Sequence, residues 1–169
     1  MNDLSKDLLD KIKNLYEQKK FSKLETTIEN IKNFEGLPTN LQMIYAVSKA
    51  LNPNSKIQDY KKSAFFFEKI FLSDQTNLEP LYNFIIVSLK ANMHLRLNNL
   101  LEEVYKKHET DLKILEGLSK ANFFLGNMVR ATSYYEKLSN LTPNSSNNWT
   151  KFLGSINYHQ NLQQDQYLN

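Results

Sequence analysis

A chain of 169 residues with only 4 Gly and 4 Pro has too few turn formers for an all-β protein, and its 41% hydrophobic and 23% charged residues set it apart from disordered sequences. A net charge of +3, from 21 basic and 18 acidic residues with no block of five like charges, is too small for a nucleic-acid footprint. The lack of cysteine excludes disulfides, thiolate metal sites and a cysteine nucleophile, and neither a signal-like start nor a long apolar run is present, so a cytoplasmic protein without a membrane segment is expected.

From the N-terminus, Leu4, Leu8, Ile12 and Leu15 recur three and four apart and predict an amphipathic helix. A second follows Lys19-Lys20, with Leu24, Ile28 and Ile31 on its apolar face. Gly36-Leu37-Pro38 ends that pair, and Asn52-Pro53-Asn54-Ser55 divides the next, because Pro lacks a helical N–H and Asn and Ser favour turns. The following helix carries Ser63, Phe67 and Ile70 and the run Phe65-Phe66-Phe67 with Phe71. Phe67 and Phe71 share a face while Phe65 and Phe66 point elsewhere, so this helix is expected to be core on several sides. Helices with Leu81, Phe84 and Val87, then Leu97, Leu101 and Val104, meet at Asn92. After His108 to Asp111 come Leu115, Leu118 and Ala121, a break at Gly126-Asn127, then Ala131, Tyr135 and Leu138 up to Pro143-Asn144. Helices of roughly 12 to 14 residues are expected throughout.

These positions repeat. Leu81, Phe84, Val87, Asn92, Leu97, Leu101 and Val104 each lie 34 residues before Leu115, Leu118, Ala121, Gly126, Ala131, Tyr135 and Leu138, and Ser63, Phe67 and Ile70 lie 34 before Leu97, Leu101 and Val104. Leu24, Ile28 and Ile31 precede Ser63, Phe67 and Ile70 by 39, so about five residues are inserted around Asn52–Ser55. A helix pair cannot bury both of its faces alone, and stacking pairs covers them. The expected fold is all-α: a right-handed α-solenoid of about four to five stacked antiparallel helix pairs, one domain over 1–169 with units at about 5–38, 39–77, 78–111 and 112–145 and a partial unit at 146–169.

The unit at 112–145 resembles the tetratricopeptide repeat, through Leu115, Leu118-Ser119, Phe123, Gly126-Asn127, Ala131, Tyr135 and Pro143 at matching spacings. Small Ser119 and Ala131 suit close helix packing, Tyr135 fills the gap between units, and Gly126 permits a tight turn. The other units depart from the pattern, with Leu97 and Leu24 where Ala is usual. A second stretch, Trp149 to His159, is similar to the segment joining the last repeat to the catalytic region in bacterial relatives of protein O-linked N-acetylglucosaminyl transferase, with Leu162 and Asp165 fitting and Gln160-Asn161 replacing the usual Pro-Asp. The same stretch also reads as a further repeat or a capping helix.

No chemistry-bearing constellation stands out. His94, His108 and His159 lack metal-ligand spacing and read as solvated helix ends, Glu102-Glu103, Asp3 and Asp7 read as surface charges, and no catalytic residue, metal or cofactor is expected. The tetratricopeptide resemblance implies that the first helix of each pair lines a concave groove. That assigns peptide contacts to Tyr82, Asn83, Ile86, Leu89 and Lys90, to Lys113, Glu116, Lys120, Phe123 and Phe124, and to Lys151, Ser155, Tyr158 and His159. Lysines beside aromatics, with Lys113 and Lys120 expected to be exposed, would suit an extended peptide bearing acidic groups. The expected function is a protein-interaction scaffold with a protein or peptide partner. The alternative is the substrate-presenting arm of a larger glycosyltransferase or sulfotransferase, with a catalytic domain following outside these residues.

Overall fold

The computed structural model describes residues 5–31 and 36–167, with side chains as far as Tyr158. Among the described residues all regular structure is helical, in the order α1 (Lys6–Glu17), α2 (Phe21–Glu29), α3 (Thr39–Leu51), α4 (Ile57–Ser73), α5 (Glu79–Lys90), α6 (His94–Tyr105), α7 (Leu112–Phe124), α8 (Met128–Leu141) and α9 (Ser146–Tyr167). The chain forms two compact units, Met1–Ala91 with α1 to α5 and Asn92–Asn169 with α6 to α9. Within each, consecutive helices pack on one another: α1 to α5 in turn in the first, α6 to α9 in the second.

Local chemistry sets the helix ends. The Ser5 hydroxyl accepts from the Leu8 amide at the start of α1, and the Asp111 carboxylate accepts from the amides of Lys113 and Ile114 at the start of α7, satisfying donors with no intrahelical partner. At α4 the Asp59 carboxylate accepts from the Lys56 amide at 3.0 Å. Lys19, Asn92 and Gly126 follow α1, α5 and α7 with φ of 54°, 56° and 77°, the left-handed conformation that closes a helix. Asn92 and Gly126 are equivalent positions of the repeat, and the turn geometry explains why Gly and Asn occupy them.

Helix lengths vary more than the expected narrow range: α2 has 9 residues, α4 has 17 and α9 has 22. In α4 the excess lies at the start. Ile57 stands six residues before Ser63, whereas Met128 stands three before the equivalent Ala131, and both helices end three residues beyond Ile70 and Leu138 respectively. Part of the insertion that breaks the repeat spacing has therefore been spent on lengthening α4.

The repeating positions are the core. In the first unit Leu24, Ile28, Ala64, Phe67, Leu81, Phe84 and Val87 are buried, and in the second Leu97, Leu101, Leu115, Leu118, Ala121, Ala131 and Leu138 are. Ser63, where later units have Leu97 and Ala131, is fully buried and donates to the Ala46 carbonyl at 2.6 Å, so its polar atom is satisfied by the neighbouring helix. Tyr135 is buried as well, and burial pushes its phenol up to about 12. Ala131 has no exposed surface, so Ala131→Leu should overpack the second unit and cost about 1–3 kcal/mol, read as a lowered urea midpoint.

Two features of the interior go beyond the expectations drawn from sequence. Phe66, Phe67 and Phe71 are buried, but Phe65 is 52% exposed, so α4 is covered on most sides and not on all. Polar groups are also built into the core. Asn122, fully buried, donates from Nδ2 to Asn98 Oδ1 at 2.7 Å and to the Leu118 carbonyl at 2.9 Å, tying α7 to α6. In the first unit the Lys49 ammonium, its side chain only 5% exposed, lies 3.1 Å from Glu25 Oε2, 3.3 Å from Glu29 Oε1 and 3.3 Å from Asp59 Oδ1. Tyr45 OH donates to Glu29 at 2.6 Å and Asn52 Nδ2 to Glu25 at 2.9 Å. This network joins α2, α3 and α4. Its sequence trace is slight: Glu25 and Glu29 are like charges one turn apart on a helix, an arrangement that repels unless a cation lies between them.

Candidate functional site

The residues assigned to a groove fall on three first helices, and the structure gathers only some of them. Tyr82, Asn83, Ile86 and Lys90 stand on α5 in the first unit. Tyr82 and Asn83 are half-buried, and Asn83 Nδ2 donates to the Glu79 carbonyl of its own helix at 3.2 Å. Ile86 is exposed, and the exposed Lys90 holds its ammonium 5.1 Å from the Tyr60 ring centre, within cation–π range.

In the second unit side chains of α7 and α9 reach one another. The Phe123 ring meets Tyr158 edge to face, with centroids 5.6 Å apart, and Phe123 makes a similar contact with Phe124 at 5.8 Å. Phe124 is 60% exposed and Tyr158 is 58% exposed. Two turns before Phe123, the Glu116 carboxylate bridges Lys120 Nζ at 2.7 Å and Lys151 Nζ at 3.3 Å. Burial pushes the Glu116 carboxyl up, yet the hydrogen bonds and charges of Lys120 and Lys151 outweigh it and hold the group below the usual glutamate range. The bridge carries two ammonium groups for one carboxylate, so it keeps one net positive charge beside two exposed aromatic rings.

Several expectations are corrected here. Lys120 is half-buried and committed to Glu116, not freely exposed, because it lies one turn from that carboxylate on α7. Lys151 is half-buried in the same bridge, whereas Lys113 is exposed at the start of α7. Ser155 is 1% exposed and donates to the Phe152 carbonyl, so it faces the interior and not the surface of this face. His94 is not a solvated helix end. Its ring stacks on Phe124 with centroids 4.6 Å apart at 17°, its buried Nδ1 has no hydrogen-bond partner among the described residues, and burial lowers its pKa. Glu102 is half-buried and accepts from Tyr134 OH at 3.0 Å and Arg130 at 3.4 Å. The side chains of His159, Leu162 and Asp165, like Asp3, lie outside the described residues, and the Trp149–His159 stretch runs as continuous helix within α9, which packs on α8.

No protein-family model matches the chain, and no curated protein does. Solved structures do. A solved structure of MamA MSR-1 superposes with a TM-score of 0.68 at 12% identity, covering 90% of this chain and 85% of that one. MamA residues 41 to the end from Desulfovibrio magneticus RS-1 gives 0.67 at 13% identity over 97% and 96% of the two chains, and a MamA RS-1 ArsTM double mutant gives 0.66 at 14% over 100% and 99%. MamA is a tetratricopeptide-like helical-repeat protein. The fold is therefore the tetratricopeptide-like helical repeat. At such identity the likeness speaks for fold alone, and Phe123, Phe124, Tyr158 and the Glu116 bridge must be judged on their own geometry. Among the described residues no helix is long and apolar enough to cross a membrane, and no three acidic or histidine side chains converge as a metal site.

Proposed function

We propose that this chain is a protein-interaction scaffold and that the face of α7 and α9 in the second unit holds an extended, acidic segment of a partner protein. One observation carries the reading: Phe124 and Tyr158 stand exposed on either side of Phe123, next to a Lys120–Glu116–Lys151 bridge with a net positive charge. Aromatic rings supply contact area at small entropic cost, and a partner carboxylate would complete the charge balance of the bridge. The helical-repeat fold, shared with MamA structures, supports a binding role, because such folds present helix faces rather than enclosed reaction sites. No observation on the described residues favours an arm of a glycosyltransferase or sulfotransferase. Absence of cysteine suits a reducing cytoplasm.

Capture of partners on the immobilised chain, followed by titration of the partner recovered, tests the proposal. The double variant Phe124→Ala and Tyr158→Ala should weaken binding by about tenfold or more while costing under about 1.5 kcal/mol of stability, since both rings are largely exposed. Charge reversal at Lys120 is a poorer probe, because Lys120→Glu sets a second carboxylate beside Glu116. A control pair, Lys106→Glu and Lys107→Glu, changes exposed residues just past α6. A loss from the lysine control as large as that from the aromatic pair would show that capture is not specific to the α7–α9 face and would remove that face from consideration.

A further inference from the structure

In the first unit, α2, α3 and α4 surround a recess of about 560 Å³ that lies outside the face just described. Its back wall is aromatic: the Tyr45 ring meets Phe66 edge to face at 5.5 Å, and Phe66 meets Phe65 the same way at 5.5 Å. Phe65 leaves 52% of its surface open while its neighbours Phe66 and Phe67 are buried. The rim carries Lys61 and Lys62, both exposed, and Glu29. Glu29 is already engaged, accepting from Tyr45 OH at 2.6 Å and lying 3.3 Å from Lys49 Nζ. Its charge is directed chiefly at the buried ammonium and is felt by Lys62 as well, and among the described residues neither Lys61 nor Lys62 makes an ion-pair contact within 4.0 Å. An apolar ring surface and two cations on one rim call for an occupant with a large apolar group next to an anion.

We propose that this recess is a docking site for an extended segment of a partner protein, taking a large apolar side chain against Phe65 and Phe66 and a carboxylate between Lys61 and Lys62. The spacing specifies the segment. Lys61 and Phe65 stand one helical turn apart, with Cβ atoms about 5–6 Å from each other, and an extended chain matches that span with residues two apart, about 6.6 Å along the strand. The favoured sequence therefore places Asp or Glu two positions from Phe, Leu or another large apolar residue. The site is independent of the α7–α9 face and stands or falls separately from it.

The probe is a fluorescein-labelled peptide of about ten residues with a glutamate two positions before a phenylalanine in a Gly/Ser background, titrated against the full chain by anisotropy and by amide chemical shifts. Saturable micromolar binding is expected, with shifts confined to the first half of α4 and the surroundings of Tyr45. Phe65→Ala, and separately the pair Lys61→Glu with Lys62→Glu, should each weaken it about tenfold, and raising salt to about 0.5 M should weaken it too. Phe124→Ala with Tyr158→Ala should leave this titration unchanged. Circular dichroism checks that each variant is folded. The proposal is overturned if a peptide with lysine in place of glutamate binds equally well, if either recess variant keeps full affinity, or if millimolar peptide moves no α4 amide.

Discussion

Lys49→Met is expected to destabilise the first unit by about 3–5 kcal/mol, the usual result of removing one partner from a buried charge network. The substituted chain would still fill the space, so the loss comes from the three carboxylates left behind. Glu25 is 12% exposed and Asp59 29%, too little for water to replace the ammonium, whereas Glu29 at 44% keeps part of its hydration. A compensated variant separates the two effects: adding Glu25→Gln to Lys49→Met should recover part of the loss, because one stranded charge becomes neutral. A Lys49→Met chain with an unchanged urea midpoint would mean that the network contributes nothing.

The same network sets a pH profile. Burial opposes ionisation of Glu29, but Tyr45 and Lys49 prevail and lower its pKa; the Lys56 amide and then Lys49 lower that of Asp59. Depressed carboxylates contribute stability that is present above their unfolded values of 4.5 and 3.8 and is lost as pH falls through the folded ones. Lys49 is the opposite case. Burial alone would lower its pKa, yet Glu25, Tyr45 and Glu29 raise it, so its contribution is complete below 10.5 and is lost only in stronger alkali. Stability should therefore be flat across neutral pH and fall in acid, and Lys49→Met should flatten the acid limb.

The second large effect is a contrast between neighbours. Phe67→Ala should cost about 3–5 kcal/mol, since the ring is buried to 1% exposure and the packed helices around it cannot close the space. Phe65→Ala, two residues earlier on α4, should change stability by less than about 1 kcal/mol, because half of that ring already faces solvent. Equal losses at the two positions would show that α4 is rotated from the orientation described. The pair also measures the repeat itself, since Phe67 occupies the position that Leu101 and Tyr135 fill in later units.

The amino-acid sequence by itself determined the helices and their breaks. Apolar spacing of three and four residues is a local consequence of helix geometry, and Gly126, Asn92 and Pro38 act on the backbone where they stand. The 34-residue spacing carried the repeat fold for the same reason, because equivalent core positions need similar side chains wherever the chain returns to them. Tertiary structure alone decided what each polar and aromatic group touches. Lys49 reads as one more lysine until α2 and α4 bring Glu25, Glu29 and Asp59 to it, and Lys120 reads as exposed until it is seen to share the Glu116 carboxylate with Lys151. His94 reads as a helix end until Phe124 closes over its ring. Phe65 and Phe66 are adjacent in sequence and differ only by about 100° around α4, and whether that rotation leads into a neighbouring helix or into water depends on packing between elements far apart along the chain.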